Sequence, residues 1–212
     1  MTERREQKFR EVIAKRQPNL TIILENVHDP HNIGAVLRSC DSVGVKEIFV
    51  LNTEPHLQTE SLYLGNQTSS GSRKWVKVNF YTAVEPCFAH IKRDYETIWA
   101  THLAEDSKDL YELDLTASVA LLFGNEHAGI SKEALAHVDG NFLIPQVGMV
   151  ESLNISVACA VTLYEALRQR MQKGFYAENL QMDETAQKEL YDHYCAQHIA
   201  REGLEMALKL ND

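Results

Sequence analysis

The chain has 212 residues, 44% of them hydrophobic, and a formal net charge of -9. That length suits one full-sized core with extensions rather than two domains, and no run of about 18 uninterrupted apolar residues is present to cross a membrane. Cys40, Cys87, Cys159 and Cys195 are dispersed and form no C-x-x-C pair, which argues against a disulfide framework and against a cysteine zinc site.

The first 16 residues carry Arg4, Arg5, Lys8, Arg10, Lys15 and Arg16 against Glu3, Glu6 and Glu11, in a pattern that predicts a helix. Such a charged start lacks the apolar core and small-residue cleavage site of a secretory leader, so a soluble cytoplasmic protein is expected. The acidic total argues against a nucleic-acid partner. Its distribution softens this, because Arg73, Lys74 and Lys77 and then Arg168, Arg170 and Lys173 form further basic clusters. Each alone reads as a solvated face; together they leave room for an RNA-binding surface on an acidic body.

Apolar or β-branched runs at 20–24 (LTIIL), 47–51 (EIFVL), 97–100 (TIWA), 119–123 (VALLF) and 142–144 (FLI) predict strands. Their near-continuous apolarity is that of parallel strands covered on both faces. Between the first two, Ile33, Val36, Leu37, Cys40 and Val43 follow a helical period that ends at Gly44. Residues 155–172 read as a strong helix, and about 183–210 as a last, acidic and peripheral one. The alternation predicts an α/β fold with a mainly parallel sheet flanked by helices. Three parts are expected: a basic helical extension over 1–18, an α/β domain over 19–174 and a C-terminal helical extension over 175–212. Ligands of such sheets sit outside the carboxyl ends of the strands, which singles out the loops at 25–32, 101–108, 124–131 and 145–154.

In the first of these, Asp29-Pro30 predicts a turn and Asn32 stands at a helix mouth, either as an N-cap or as a site residue. Arg38 follows the apolar pair Val36-Leu37 in what reads as the first two turns of a buried helix, where an arginine is suited to bidentate phosphate binding. His28, Asp29 and His31 have no recognisable fourth ligand and no standard spacing, so no metal is expected. In the stretch LLFGNEHAGIS, Gly124, Gly129, Ile130 and Ser131 approach a phosphate-cradling loop, but Ile130 stands where that loop needs lysine. No G-x-G-x-x-G follows any strand. Glu126 is left as a carboxylate at the ligand end of the sheet, or as a solvated loop residue. In GMVESLNISVACAV, either Ser152 or Asn154 suffices to cap the long helix, and one of the two is left for other work.

Taken together and in order, Asn32-Ile33-Gly34-Ala35 with Arg38, Phe123-Gly124-x-Glu126-x-x-Gly129-Ile130, and Ile144-Pro145 through Gly148 to Ser152-Leu153-Asn154 resemble the three motifs of the SpoU, or TrmH, group of SPOUT methyltransferases. The resemblance implies S-adenosylmethionine-dependent methylation of a ribose 2′-hydroxyl in RNA, a deep trefoil knot in the C-terminal part, and a homodimer with its site at the subunit interface. Carried over by motif, Arg38 is the catalytic residue, and Asn32, Glu126, Ser152 and Asn154 build and orient the site. Thr101, Gly124, Ile144 and Leu153 match positions that line the cofactor pocket. Arginine is a poor base because its guanidinium holds its proton so tightly, and the resemblance implies that a substrate phosphate assists it. The basic N-terminal segment is similar to the start of the tRNA-modifying branch, which points to tRNA and to the D-loop guanosine at position 18. Another tRNA nucleotide, ribosomal RNA, or an RNA-binding protein without catalysis are the alternatives.

Overall fold

The computed structural model describes residues 1–57, 72–126 and 128–209, with side chains as far as residue 200. Seven strands form one sheet: β1 (Leu20–Glu25), β2 (Glu47–Leu51), β3 (Lys77–Tyr81), β4 (Thr97–Thr101), β5 (Lys108–Asp109), β6 (Val119–Phe123) and β7 (Gly140–Leu143). They lie in the order β3-β2-β1-β6-β4-β7-β5, and every pairing is parallel. The registry places Ile22 between Ile48 and Leu121, so the middle of the sheet is aliphatic.

Strand residues alternate between faces, and each face carries its own core. Leu20, Ile22, Leu24, Ile48, Val50, Val119, Leu121 and Phe123 pack against α2 (Pro30–Ser42) and α5 (Ile155–Gln172) through Ile33, Val36, Leu37, Cys40, Cys159 and Leu163. On the other face Ile23, Phe49, Leu51, Ala120 and Leu122 meet α3 (Val84–Asp94) and α4 (Lys132–Leu135) through Val84, Cys87, Phe88, Ile91 and Ala134. Cys40, Cys87 and Cys159 are buried and Cys195 partly so, all as free thiols. Burial pushes the thiols of Cys40 and Cys159 far up and that of Cys87 to about 12, so these three are not thiolates at neutral pH.

The sheet is two strands wider than the sequence predicts, with β3 and β5 added at its edges. The run expected at 142–144 pairs instead as Gly140–Leu143. Gly140 lies opposite Trp99, and a side chain there would meet the indole ring. The predicted last helix is α6 (Glu184–Lys209); its expected end at residue 210 lies outside the described residues. It packs on α1 (Glu3–Ala14) through a small core of Phe9, Ile13 and Tyr194, with Trp75 and Leu190 beside it.

Two arginines counted in the basic clusters turn out to be internal. Arg16 is 0% exposed. It donates from Nε and Nη2 to the Tyr194 hydroxyl at 3.0 and 2.6 Å, from Nη2 to Asp41 at 2.6 Å, and from Nη1 to the Val45 carbonyl at 3.0 Å. Arg170 is equally buried. It donates to the carbonyls of Leu115, Ala117 and Asn19 and to the side chains of Gln17 and Asn19 at 2.6 to 3.2 Å. Burial draws its pKa down to about 10, which leaves it charged at neutral pH. Neither is available to a phosphate, and Arg168 is paired with Glu165 at 2.7 Å. The expected RNA-binding surface therefore loses Arg16 and Arg170, while Arg4, Lys8, Arg10 and Lys15 around α1, and Arg73, Lys77 and Lys173, remain exposed.

Candidate active site

The carboxyl ends of β4, β6 and β7 open into a cleft of about 580 Å³, within the usual range for a small ligand or cofactor. Thr101, Gly124, Ile144 and Leu153 all line it, as do Glu126 and Ser152. The turn after β6 is tightly built. Asn125 and Gly129 exchange backbone hydrogen bonds at 3.0 and 2.9 Å, and the Asn125 side chain accepts from the Ala128 N–H at 2.9 Å. Gly129 has φ +71°, and a Cβ on Gly124 would run into the backbone of Gly129 and the side chain of Ile130. The glycines of the near-miss phosphate loop thus serve a compact turn that presents Glu126.

Asn32 is not the cap of α2. Asp29 takes that place, accepting from the His31 N–H at 2.8 Å, with Pro30 as the first helical residue. Freed from capping, the Asn32 amide donates to Glu126 Oε1 at 2.5 Å, and its carbonyl oxygen accepts from Asn154 Nδ2 at 3.1 Å. The first, second and third motifs therefore meet in one hydrogen-bonded row, Asn154 to Asn32 to Glu126. Asn154 also caps α5: its side-chain oxygen accepts from the Ser156 N–H at 2.9 Å and from the Ser156 hydroxyl at 2.6 Å. Capping and site building are shared by one residue, and Ser152 is left facing the cleft. Asn154→Ala is expected to cost about 1 kcal/mol, lowering Tm by about 2–4 °C in a thermal melt.

Arg38 is not brought into this group. It is the ninth residue of α2, in the third turn rather than the first two, and it is exposed. Six residues beyond Asn32, it lies about 9 Å along the axis and about 240° around it. It borders a shallow depression with Ala35, Ser39, Ser42 and Tyr164. Among the described residues its guanidinium has no hydrogen bond or ion pair. On the cleft's rim Val147 and Met149 are fully exposed, and Leu103 is 77% exposed.

Sequence reasoning missed the residues that hold the site's two loops. Asn26, with φ +51°, ends β1 in a left-handed turn, and its carbonyl accepts from Asn125 Nδ2 at 2.9 Å. Buried Glu25 accepts from the N–H and hydroxyl of Ser131 at 2.9 and 2.5 Å, fixing the start of α4. Asparagines directly after apolar runs, in E-N-V and G-N-E, were the available signal, since Asn tolerates left-handed backbone.

Residues 19–164 match the model of the SpoU rRNA Methylase family. A Thermus thermophilus protein named tRNA (guanosine(18)-2′-O)-methyltransferase is 46% identical over 191 residues, covering 90% of this chain and 96% of the relative. The solved TrmH/SpoU tRNA modifying enzyme of A. aeolicus superposes with a TM-score of 0.79 at 35% identity, over 92% of this chain and 96% of that one. The SpoU methyltransferase AviRb of Streptomyces viridochromogenes, solved with AdoMet, gives a TM-score of 0.64 at 25% identity, over 74% of this chain and 62% of that one. With three ordered motifs meeting at one cleft and a family match across most of the sheet, the chain belongs to the SpoU rRNA Methylase family.

Proposed function

We propose that the protein methylates the 2′-hydroxyl of guanosine 18 in tRNA, using S-adenosylmethionine. The observation that carries this is the row Asn154, Asn32 and Glu126 at the mouth of a cofactor-sized cleft. The name of the Thermus thermophilus relative at 46% identity supplies the nucleotide. The cleft suits the cofactor: Ile144, Leu153 and Phe142 offer apolar contacts, Gly124 keeps the turn beside it compact, and Glu126 sets a carboxylate beside a ligand that carries a positive centre. When bound, S-adenosylmethionine supplies the electrophilic methyl group.

The chain's own residues supply position and proton handling. Ser152 and the Asn32-linked Asn154 amide are placed to hold the ribose edge in line, the kind of orientation that contributes most to such transfers. A guanidinium is a donor with no acceptor, so Arg38 holds the RNA phosphate oxygen that takes the hydroxyl proton.

Since Arg38 lies outside its own chain's cleft, the reading includes a homodimer in which a second copy brings Arg38 to that cleft. Val157, Tyr164 and Met171, seven residues apart on α5, are 46%, 53% and 61% exposed. This apolar stripe adjoins Arg38 through Tyr164, and a stripe of this kind favours burial against a partner. The trefoil knot, the division into 1–18, 19–174 and 175–212, and action in the cytoplasm belong to the same proposal. No helix among the described residues is long and apolar enough to cross a membrane.

The test is methyl transfer from labelled cofactor to a tRNA transcript, followed by mapping. Label is expected at guanosine 18 and none in a transcript carrying 2′-deoxyguanosine there. Label at another nucleotide, or only in ribosomal RNA, would replace the substrate. Binding of tRNA without any transfer would leave an RNA-binding protein without catalysis.

A further inference from the structure

Beyond the cleft, at the carboxyl ends of β1 and β2, two histidines and a carboxylate converge. His28 Nε2 lies 3.2 Å and His56 Nε2 3.5 Å from the same atom, Oε2 of Glu54. The two imidazoles are nearly perpendicular, at 79°, with ring centroids 5.0 Å apart. All three donor atoms fall within 4.8 Å of one another. A tetrahedral ion with bonds of about 2.0–2.1 Å keeps its donors about 3.3–3.4 Å apart. Both separations from Glu54 are close to that edge length, and the third, between the two imidazoles, is no more than 4.8 Å.

The group rests on a rigid support. The Asn26 side chain, 7% exposed as a residue, accepts from the N–H groups of Thr53 and Glu54 at 2.8 and 3.3 Å and donates to the Thr53 hydroxyl at 2.9 Å. This clamp ties the exit of β1 to residues 53–54, and His28 follows two residues later. Glu54 and His28 thus approach one another because their backbones are held, which reduces the ordering cost of closing around an ion.

We infer that His28, Glu54 and His56 form a binding site for one divalent transition-metal ion of the zinc class, with a fourth position open to solvent. Two imidazole nitrogens favour zinc, cobalt or nickel over magnesium and calcium, which take oxygen donors. The set differs from the His28, Asp29 and His31 grouping visible in sequence. Asp29 is committed to the α2 cap and His31 is exposed, while the ligands that join His28 come from the loop after β2. An ion here would staple that loop to the β1–α2 loop, four residues from Asn32.

The test uses the full chain without a polyhistidine tag, stripped with a chelator and dialysed, so its outcome is independent of methyl transfer. Calorimetric titration with zinc chloride should give one equivalent per chain, and cobalt(II) should develop the visible absorption of a four- or five-coordinate site. His28→Ala and His56→Ala should each weaken zinc binding at least tenfold, while His31→Ala leaves it unchanged. Zinc should raise the Tm of the parent but not of His56→Ala, whose metal-free Tm should match the parent because His56 is exposed. Equal affinity in parent and His56→Ala, or no binding by the stripped parent in the micromolar range, would overturn the assignment.

Discussion

Replacing Arg38 with alanine is expected to lower kcat for methyl transfer by about 100- to 10,000-fold, while S-adenosylmethionine affinity stays within about twofold. The separation of the two effects follows from position. Arg38 is exposed, has no hydrogen bond or ion pair among the described residues, and lies outside the cleft, so its removal deletes no contact that shapes the cofactor site. An exposed substitution of this kind changes stability by less than about 0.5 kcal/mol. Glu126→Ala should also lose turnover, by breaking the row at its cleft end. Mixing the two inactive variants is the sharper measurement. If Arg38 serves the cleft of the partner copy, a mixed dimer has one complete site and activity returns on mixing. No recovery would place Arg38 in its own chain's reaction, and full turnover by Arg38→Ala alone would remove it from catalysis.

Arg170→Met is expected to destabilise the protein by about 3 kcal/mol, a fall in Tm of about 6–12 °C. Two effects oppose each other. Methionine abolishes the desolvation of a buried guanidinium, whose pKa that burial draws down to about 10. It also withdraws a donor from the five acceptors that Arg170 satisfies, three of them main-chain carbonyls in the connections before β1 and β6; the Asn19 carbonyl keeps the Val119 N–H at 3.0 Å, which leaves four stranded. Orphaned buried acceptors cost about 1–3 kcal/mol each where water cannot reach them, so the loss wins. Urea unfolding checks it; a change below about 1 kcal/mol would mean that water takes over these carbonyls.

Much of this architecture was legible because burial on both faces writes itself into sequence. β1, β2 and β6 are buried from end to end, mostly apolar, and paired next to one another in the sheet. β3 was not, since Lys77 and Phe80 are exposed on an edge strand and the alternation is too weak to register. β5 has two residues and exists only as a partner of Phe142 and Leu143. For α3 the period Val84, Cys87, Phe88 and Ile91 was available and went unread.

At the site, motif order identified the loops that meet, and the structure brings Asn32, Glu126 and Asn154 together. Sequence adjacency could not say that Arg38 points elsewhere, because six helical residues turn a side chain through most of a circle. Nor could composition separate Arg16 and Arg170 from surface cations. Their partners lie up to 178 positions away and are mostly oxygen atoms of the backbone and of neutral side chains.

That longest separation sets a timetable. Tyr194 is made 178 residues after Arg16, which is about 9–36 s at a synthesis rate of about 5–20 residues per second. Until then the guanidinium has Asp41 and main-chain carbonyls but no phenol, and Phe9 and Ile13 have no helix to lie against. The helix that precedes the sheet in the chain is therefore covered only after the sheet is made. A ribosome that stalls within α6 leaves its nascent chain with a complete sheet and an uncovered apolar patch on α1, the kind of surface that chaperones and proteases read.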